Sequence, residues 1–474
     1  MKRRYNRKYK PADMESLVDV PLLGEHLRPV IEESLHECGK EKSRKGTLLT
    51  PVFTVLVVLG LVLRRDLSYS ATMNWLISGL RWLRCNLPRK LVADGAISHA
   101  RERLGVHVFR VIFQKMVSRC VTLPKDFHRF TSVAFDGSSI TMPDTEDNME
   151  AFGKPKGGRG EGAFPQLRVV ALLILPLRLV ADFSYDAYKG KGTGERSLMA
   201  KMIERIHYRD LLFMWDAGLY SFDLWQSALL GGNQVLAKLS ASVKPKPIPG
   251  ERFADGSYLA VIAKQVVDPE RSDEKHKRYK TIKIVVRIIE YRIPGFRPAR
   301  LITTILDPEI GAMELAIHYH KRWDIEIAFD EIKTHQCATL RGQSPTVLRS
   351  KKPELIKQEL YAVFIVYNLV RDLMHQAADQ TNKESRSMSF LDSLQCVIDA
   401  IPHMCIAVGK QAKEKFQYLG SLIAECVLDR PQRHRINPRV VKVKMSKFKR
   451  KGRFHKSTSR DLENELQVLG RAVA

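Results

Sequence analysis

Apolar residues recur at helical spacing over 71–84 and 107–118, and strand-like alternation is scarce across 11–125. That pattern predicts a mostly helical N-terminal region. Within it, residues 46–63 (GTLLTPVFTVLVVLGLVL) carry no charge over 18 positions, near the lower limit for a bilayer-spanning helix. Pro51 suits the first turn of a helix. About a dozen strongly apolar residues then follow, which favours a buried helix over a membrane span. Pro124-Lys125-Asp126 punctuates the end of the region.

From residue 131 the pattern changes. TSVAFDGSSITM (131–142), LRVVALLIL (167–175), LRLVADFSYD (177–186), LLFMW (211–215) and 234–238 read as strands. Helices are predicted at 195–208 and 222–230, giving an alternating β/α order. Strands at 257–267, 281–292 and 299–306, separated by Pro- and charge-rich turns, read as a β-rich insertion. Helical patterns return at 311–335, 353–378 and 388–427. The expected architecture is multidomain α+β. A helical region spans 1–125, an α/β core occupies 126–239 and 311–385, the insertion spans 240–310, and a helical, basic C-terminal region spans 386–474.

Charge narrows the partner. The chain has 474 residues, with 78 Lys and Arg against 52 Asp and Glu, a net charge of +26. Such an excess calls for a polyanion, either nucleic acid or anionic lipid. Residues 1–10 hold six cations and 430–456 hold twelve, with no acid in either run. Two acid-free runs favour phosphate contact. Pro11, Asp13 and Glu15 follow the first run, so it is no secretory signal. The seven cysteines are scattered and lack a C-x-x-C, which fits the reduced thiols of a cytosol. His318 and His320, two apart, would not share a helical face as metal ligands. The basic loop GKPKGGRGEG (153–162) lacks the Gly-Lys-Ser/Thr ending of a phosphate-binding loop and reads as a flexible loop.

Three acids stand out by position. Asp136 sits in or at the end of a predicted strand, before a glycine expected to leave room around the carboxylate. Asp216 ends another strand, and Glu326 lies in a predicted helix. Two strand-end carboxylates and one from a helix can converge on a pair of hard divalent ions such as Mg²⁺. At about 100° per residue, Tyr319, Arg322, Glu326 and Lys333 fall within roughly a 60° arc of one helix. Asp330 shares that face as a rival ligand. Asp324 and Glu331 point the other way and are expected to be solvated. Acids, Arg and Lys at helical spacing are usually surface ion pairs, so spacing alone favours that reading over the catalytic one.

The segment YHKRWDIEIAFDEIKTHQ (319–336) carries Tyr-x₂-Arg-x₃-Glu-x₆-Lys and resembles the signature of the insertion-sequence-4-type DDE transposases. FDGSSI (135–140) and FMWDAGLYS (213–221) resemble the family's two aspartate segments. LRSKKPELIKQELYAVFIVYNLVR (348–371) is similar to the helix after its glutamate. Residues 44–76 and 97–105 resemble its helical N-terminal domain, and 437–451 its basic tail. The resemblance implies a ribonuclease-H-like core interrupted by the β-insertion, and metal-dependent cutting and joining of DNA. It implies Asp136, Asp216 and Glu326 as catalytic metal ligands for two Mg²⁺, with Mn²⁺ able to substitute. It implies Tyr319, Arg322 and Lys333 as contacts to element-end DNA. It further implies a homodimer on double-stranded DNA, in the cytoplasm beside the nucleoid and away from membranes; the helical segment 388–427 is taken as the expected contact surface. Relatives that pass through a DNA hairpin use an aromatic of the insertion to hold a flipped base. No Trp occurs between Trp225 and Trp323, which leaves Tyr291 and Phe296. A nuclease without strand transfer, a non-catalytic DNA-binding regulator and a membrane-surface protein are the alternatives.

Overall fold

The computed structural model describes residues 27–43, 47–78, 92–120, 123–157, 160–268, 278–294, 296–337, 346–404, 410–428, 441–442, 449–450 and 462–470. The basic arm at 1–10 and most of the basic run at 430–456 lie outside the described residues.

The N-terminal region is helical: α1 (Arg28–Glu37), α2 (Pro51–Leu63), α3 (Tyr69–Leu76) and α4 (Asp94–Cys120). Pro51 does open α2, where a missing N–H costs nothing, and the Thr50 hydroxyl accepts from the Phe53 N–H at 3.3 Å. Every residue from Phe53 to Leu63 is buried. The apolar run is therefore core, and no helix among the described residues is long and apolar enough to cross a membrane. Gly105 interrupts α4 at φ 75, ψ 174, a backbone region essentially reserved for glycine. The Arg101 side chain, 1% exposed, reaches from α4 to the Tyr69 hydroxyl at 2.8 Å and the Leu355 carbonyl at 3.0 Å. It ties these helices to the long central helix α10 (Pro353–Gln380).

The strands of the central sheet are β1 (Thr131–Thr141), β2 (Gln166–Ile174), β3 (Leu179–Ala187), β4 (Leu211–Trp215), β5 (Gln234–Lys238), β6 (Lys246–Arg252), β7 (Tyr258–Val267), β8 (Tyr279–Arg292), β9 (Ala299–Thr303) and β10 (Gln467–Val468). They form one sheet in the order β3-β2-β1-β4-β5-β9-β8-β7-β6, with β10 pairing β8. β4 runs parallel to both β1 and β5; the other pairings are antiparallel. The fold is thus a mixed α/β arrangement. The strands of 246–303, which the sequence reads as a β-rich insertion, continue the central sheet through the β5–β9 pairing. β6 has no counterpart among the strands read from the sequence, and it carries Pro247 and Pro249. It is an edge strand, the place where a missing N–H is tolerated.

Strand parity divides the core. Ala134, Ile140, Leu212 and Met214 face the larger cluster, under α2, α4, α10 and the helices that follow β9. Val133, Phe135, Leu211, Phe213 and Trp215 face the other cluster, under α6 (Glu195–Ile203) and α7 (Phe222–Leu230). One short helix, α5 (Glu146–Phe152), was not anticipated.

Candidate active site

β1 and β4 lie side by side, with Ala134 opposite Met214. Two residues further along each strand come Asp136 and Asp216. Asp216 keeps extended backbone (φ -84, ψ 174), so the alternation carries through it. Both carboxylates therefore leave the sheet at one level, on the face of Ala134 and Met214.

The expected helix 311–335 is not one continuous α-helix. It consists of α8 (Ala312–Tyr319), a 3₁₀ turn (His320–Arg322), α9 (Trp323–Asp330) and a π-helical turn (Glu331–Gln336). Its facing residues still converge on the sheet. Tyr319 donates from its hydroxyl to the Trp215 carbonyl at 3.1 Å, one residue before Asp216. Arg322 donates to Glu326 Oε1 at 2.6 Å, and its other terminal nitrogen lies 3.8 Å from Asp136 Oδ2. Lys333 donates to the Ser138 hydroxyl, two residues beyond Asp136 on the same strand face. Tyr319 and Arg322 are buried, whereas the Glu326 side chain is 38% exposed. Asp330 is exposed and accepts from the Thr334 hydroxyl at 2.7 Å, away from this group.

The electrostatics are those of crowded acid groups. Burial pushes the Asp136 carboxyl up to about 6, and the charges on Glu326 and Asp216 add to the rise; Arg322 and the Gly137 N–H oppose it. Burial pulls the Lys333 ammonium below its ordinary range, with Asp136 acting against the fall. Asp216 Oδ1 accepts from the Gly218 N–H at 2.5 Å. The Gly218 carbonyl in turn accepts from Arg196 at 3.1 and 3.2 Å, which pins the turn behind Asp216.

Two expectations are corrected. Gly137 does not open space beside the Asp136 carboxylate. Its vacant position lies on the opposite sheet face, where an added Cβ would meet Glu195 Cδ at 2.4 Å. Asp324 and Glu331 are not solvated. Asp324, 2% exposed, is held by Arg178 at 3.1 Å and by Arg386. Glu331 is bonded by Arg371 and by the Tyr367 hydroxyl at 3.1 Å. Pointing away from the site here means pointing into protein, and buried carboxylates need such cations. The two pairs anchor the elements that carry Glu326 and Lys333. Ser138 could have been found from strand parity alone. Arg196, Arg178 and Arg386 had no local signal, because each meets its partner only through the tertiary fold.

The donor set of Asp136, Asp216 and Glu326 is all carboxylate oxygen, the chemistry a hard divalent cation takes. The raised Asp136 carboxyl is what such a cation would relieve. Among the described residues no three metal-ligating side chains are yet gathered closely enough to hold an ion, and Arg322 stands between Asp136 and Glu326. Of the expected aromatics, Tyr291 is buried beside His320 and Phe296 is 39% exposed.

The family description "Transposase DDE domain" matches residues 129–369, and "Insertion element 4 transposase N-terminal" matches 18–114. The transposase InsG for insertion sequence element IS4 of Escherichia coli (strain K12) is 28% identical over 437 residues, covering 90% of this chain and 92% of that protein. A chain from the cryo-EM structure of a piggyBac transposase synaptic complex with hairpin DNA aligns at TM-score 0.43 and 8% identity, over 88% of this chain and 85% of that one.

Proposed function

The chain belongs to the transposase DDE domain family, and from that premise we propose that Asp136, Asp216 and Glu326 are the carboxylates with which it cuts and joins DNA. It is an insertion-sequence transposase, an enzyme acting on DNA, from a family that uses divalent metal ions. The observation that carries the residue assignment is the parity and register that set Asp136 and Asp216 on one sheet face, under the helix bearing Glu326.

The core of 126–239 and 311–385 is read as ribonuclease-H-like, with the strands of 240–310 as its insertion, the helices of 1–125 as a DNA-binding region, and 386–474 as a C-terminal region. The three carboxylates would hold two Mg²⁺ or Mn²⁺ ions. When bound, such a pair supplies Lewis acidity to both the attacking and leaving oxygens of an in-line phosphoryl displacement. The protein's own part is positional. Arg196 and the Gly218 N–H fix the Asp216 carboxylate. The pairs of Asp324 with Arg178 and of Glu331 with Arg371 hold Glu326 at its level. Arg322 and Lys333 contact backbone phosphates of the element end. Tyr319 joins them only by giving up its bond to the Trp215 carbonyl. A second copy would pair the two ends. The contact is assigned to α11 (Phe390–Met404), α12 (Lys410–Glu425) and the residues after them, where Leu391, Tyr418 and Val427 are 46%, 64% and 45% exposed.

The test is a plasmid bearing the inverted repeats that bound the reading frame. The unsubstituted chain should excise and rejoin the element with Mg²⁺, and pre-cut ends should be joined to target DNA. Cutting without joining of pre-cut ends would leave a nuclease instead.

A further inference from the structure

Arg322 occupies an unusual position for a residue expected to touch DNA. Its side chain is 7% exposed, and it lies between Asp136 and Glu326. Its Nε–H is buried without a hydrogen-bond partner among the described residues. A guanidinium offers five donors in a rigid fork. Here it makes one close bond, to Glu326, and one longer ionic contact, to Asp136, and its guanidinium lies 5.9 and 6.0 Å from the Tyr319 and Trp323 rings. It is held by charge rather than by a saturated hydrogen-bond network.

We propose that Arg322 is an internal counter-ion: it neutralises Asp136 and Glu326 while DNA is absent, and its transfer to a backbone phosphate opens those carboxylates to a divalent cation. The inference rests on the assignment of Asp136 and Glu326 as metal ligands. A doubly charged cation and a guanidinium repel each other at contact distance, so both cannot occupy the space between two carboxylates. A phosphate suits the fork at least as well as a carboxylate, through paired parallel N–H···O bonds. DNA that draws Arg322 away therefore strengthens metal binding, and linkage requires metal to strengthen DNA binding by the same factor. The site would stay poorly metallated until DNA is present, which protects against indiscriminate cutting. Lys333 also feels the Asp136 charge, but its close bond is to the Ser138 hydroxyl, whereas Arg322 bonds Glu326 directly and faces both carboxylates.

The experiment titrates the full chain with Mn²⁺, following free Mn²⁺ by electron paramagnetic resonance, without DNA. Arg322→Gln should bind Mn²⁺ more tightly than the unsubstituted chain, by a factor within the roughly 5- to 150-fold range of such couplings. Arg322→Lys, which keeps the charge, should stay near the unsubstituted affinity. The reverse side is read by fluorescence anisotropy of a 40-base-pair duplex. Mn²⁺ should tighten duplex binding by the unsubstituted chain, and Arg322→Gln should lose most of that gain. If Arg322→Gln binds Mn²⁺ no better while Asp136→Asn and Glu326→Gln lose binding, the ligand assignment stands and the counter-ion role is overturned. The role is equally overturned if the lysine variant binds as tightly as the glutamine variant. A duplex affinity of the unsubstituted chain that ignores Mn²⁺ overturns it even where the glutamine variant does not fold. Asp136→Asn and Glu326→Gln both binding Mn²⁺ normally would remove the ligand assignment itself.

Discussion

Replacing Asp136 by asparagine should stabilise the chain in the absence of metal and DNA. The carboxyl stands at about 6 instead of 3.8, chiefly through burial. At about 1.4 kcal/mol per tenfold change in proton affinity, that displacement corresponds to about 3 kcal/mol. Its sign follows from the direction. A carboxyl raised in the folded state favours folding when protonated. That advantage is complete below 3.8 and disappears as pH rises through about 6. At pH 8 the native side chain is therefore a half-buried charge that Arg322 at 3.8 Å offsets only in part, and asparagine keeps its shape without that charge. Urea unfolding should show a higher midpoint for the variant at pH 8, by about 1 M for a slope of about 3 kcal/mol/M. The gap should shrink toward pH 4. Millimolar Mg²⁺ should narrow it at pH 8 by binding only the unsubstituted chain. A variant less stable at pH 8, or a gap indifferent to pH, would refute the reasoning.

Alanine at Asp136, Asp216 or Glu326 should abolish strand cleavage while salt-sensitive duplex binding persists; parallel loss of both in a gel-shift and cleavage assay would point to misfolding. Glu331→Leu leaves Arg371 buried without its carboxylate and should lower stability by about 3–5 kcal/mol. The double change with Arg371→Met should recover most of that loss in the same denaturation measurement. Gly105→Ala forces a side chain onto a backbone with φ 75 and should cost about 1–3 kcal/mol, read as a lower thermal midpoint.

The elements with clean periods were legible from the chain alone. Strands at 211–215 and 234–238 and the helix at 222–230 appear with the expected bounds, because each is a short apolar run closed by turn residues. The helix wheel that grouped Tyr319, Arg322, Glu326 and Lys333 assumed uniform pitch. The real segment tightens into a 3₁₀ turn and then loosens into a π turn, yet all four side chains still converge on the sheet. What escaped was everything that depends on a second layer. A wheel gives the direction of Asp324 and Glu331 but not what lies there, and long-range partners such as Arg178, Arg371 and Arg386 fill it. The continuity of the sheet was also hidden, since pairing of β5 with β9 joins residues more than sixty positions apart.

That pairing limits how the protein can be trimmed. Excising 240–310 would strip β5 of its outer neighbour and leave Val235, Leu236 and Ala237, all buried in the intact chain, on a naked sheet margin. Unpaired N–H and C=O groups along such a border recruit any passing strand. A shortened enzyme should therefore clump into β-rich aggregates instead of behaving as a minimal catalytic core.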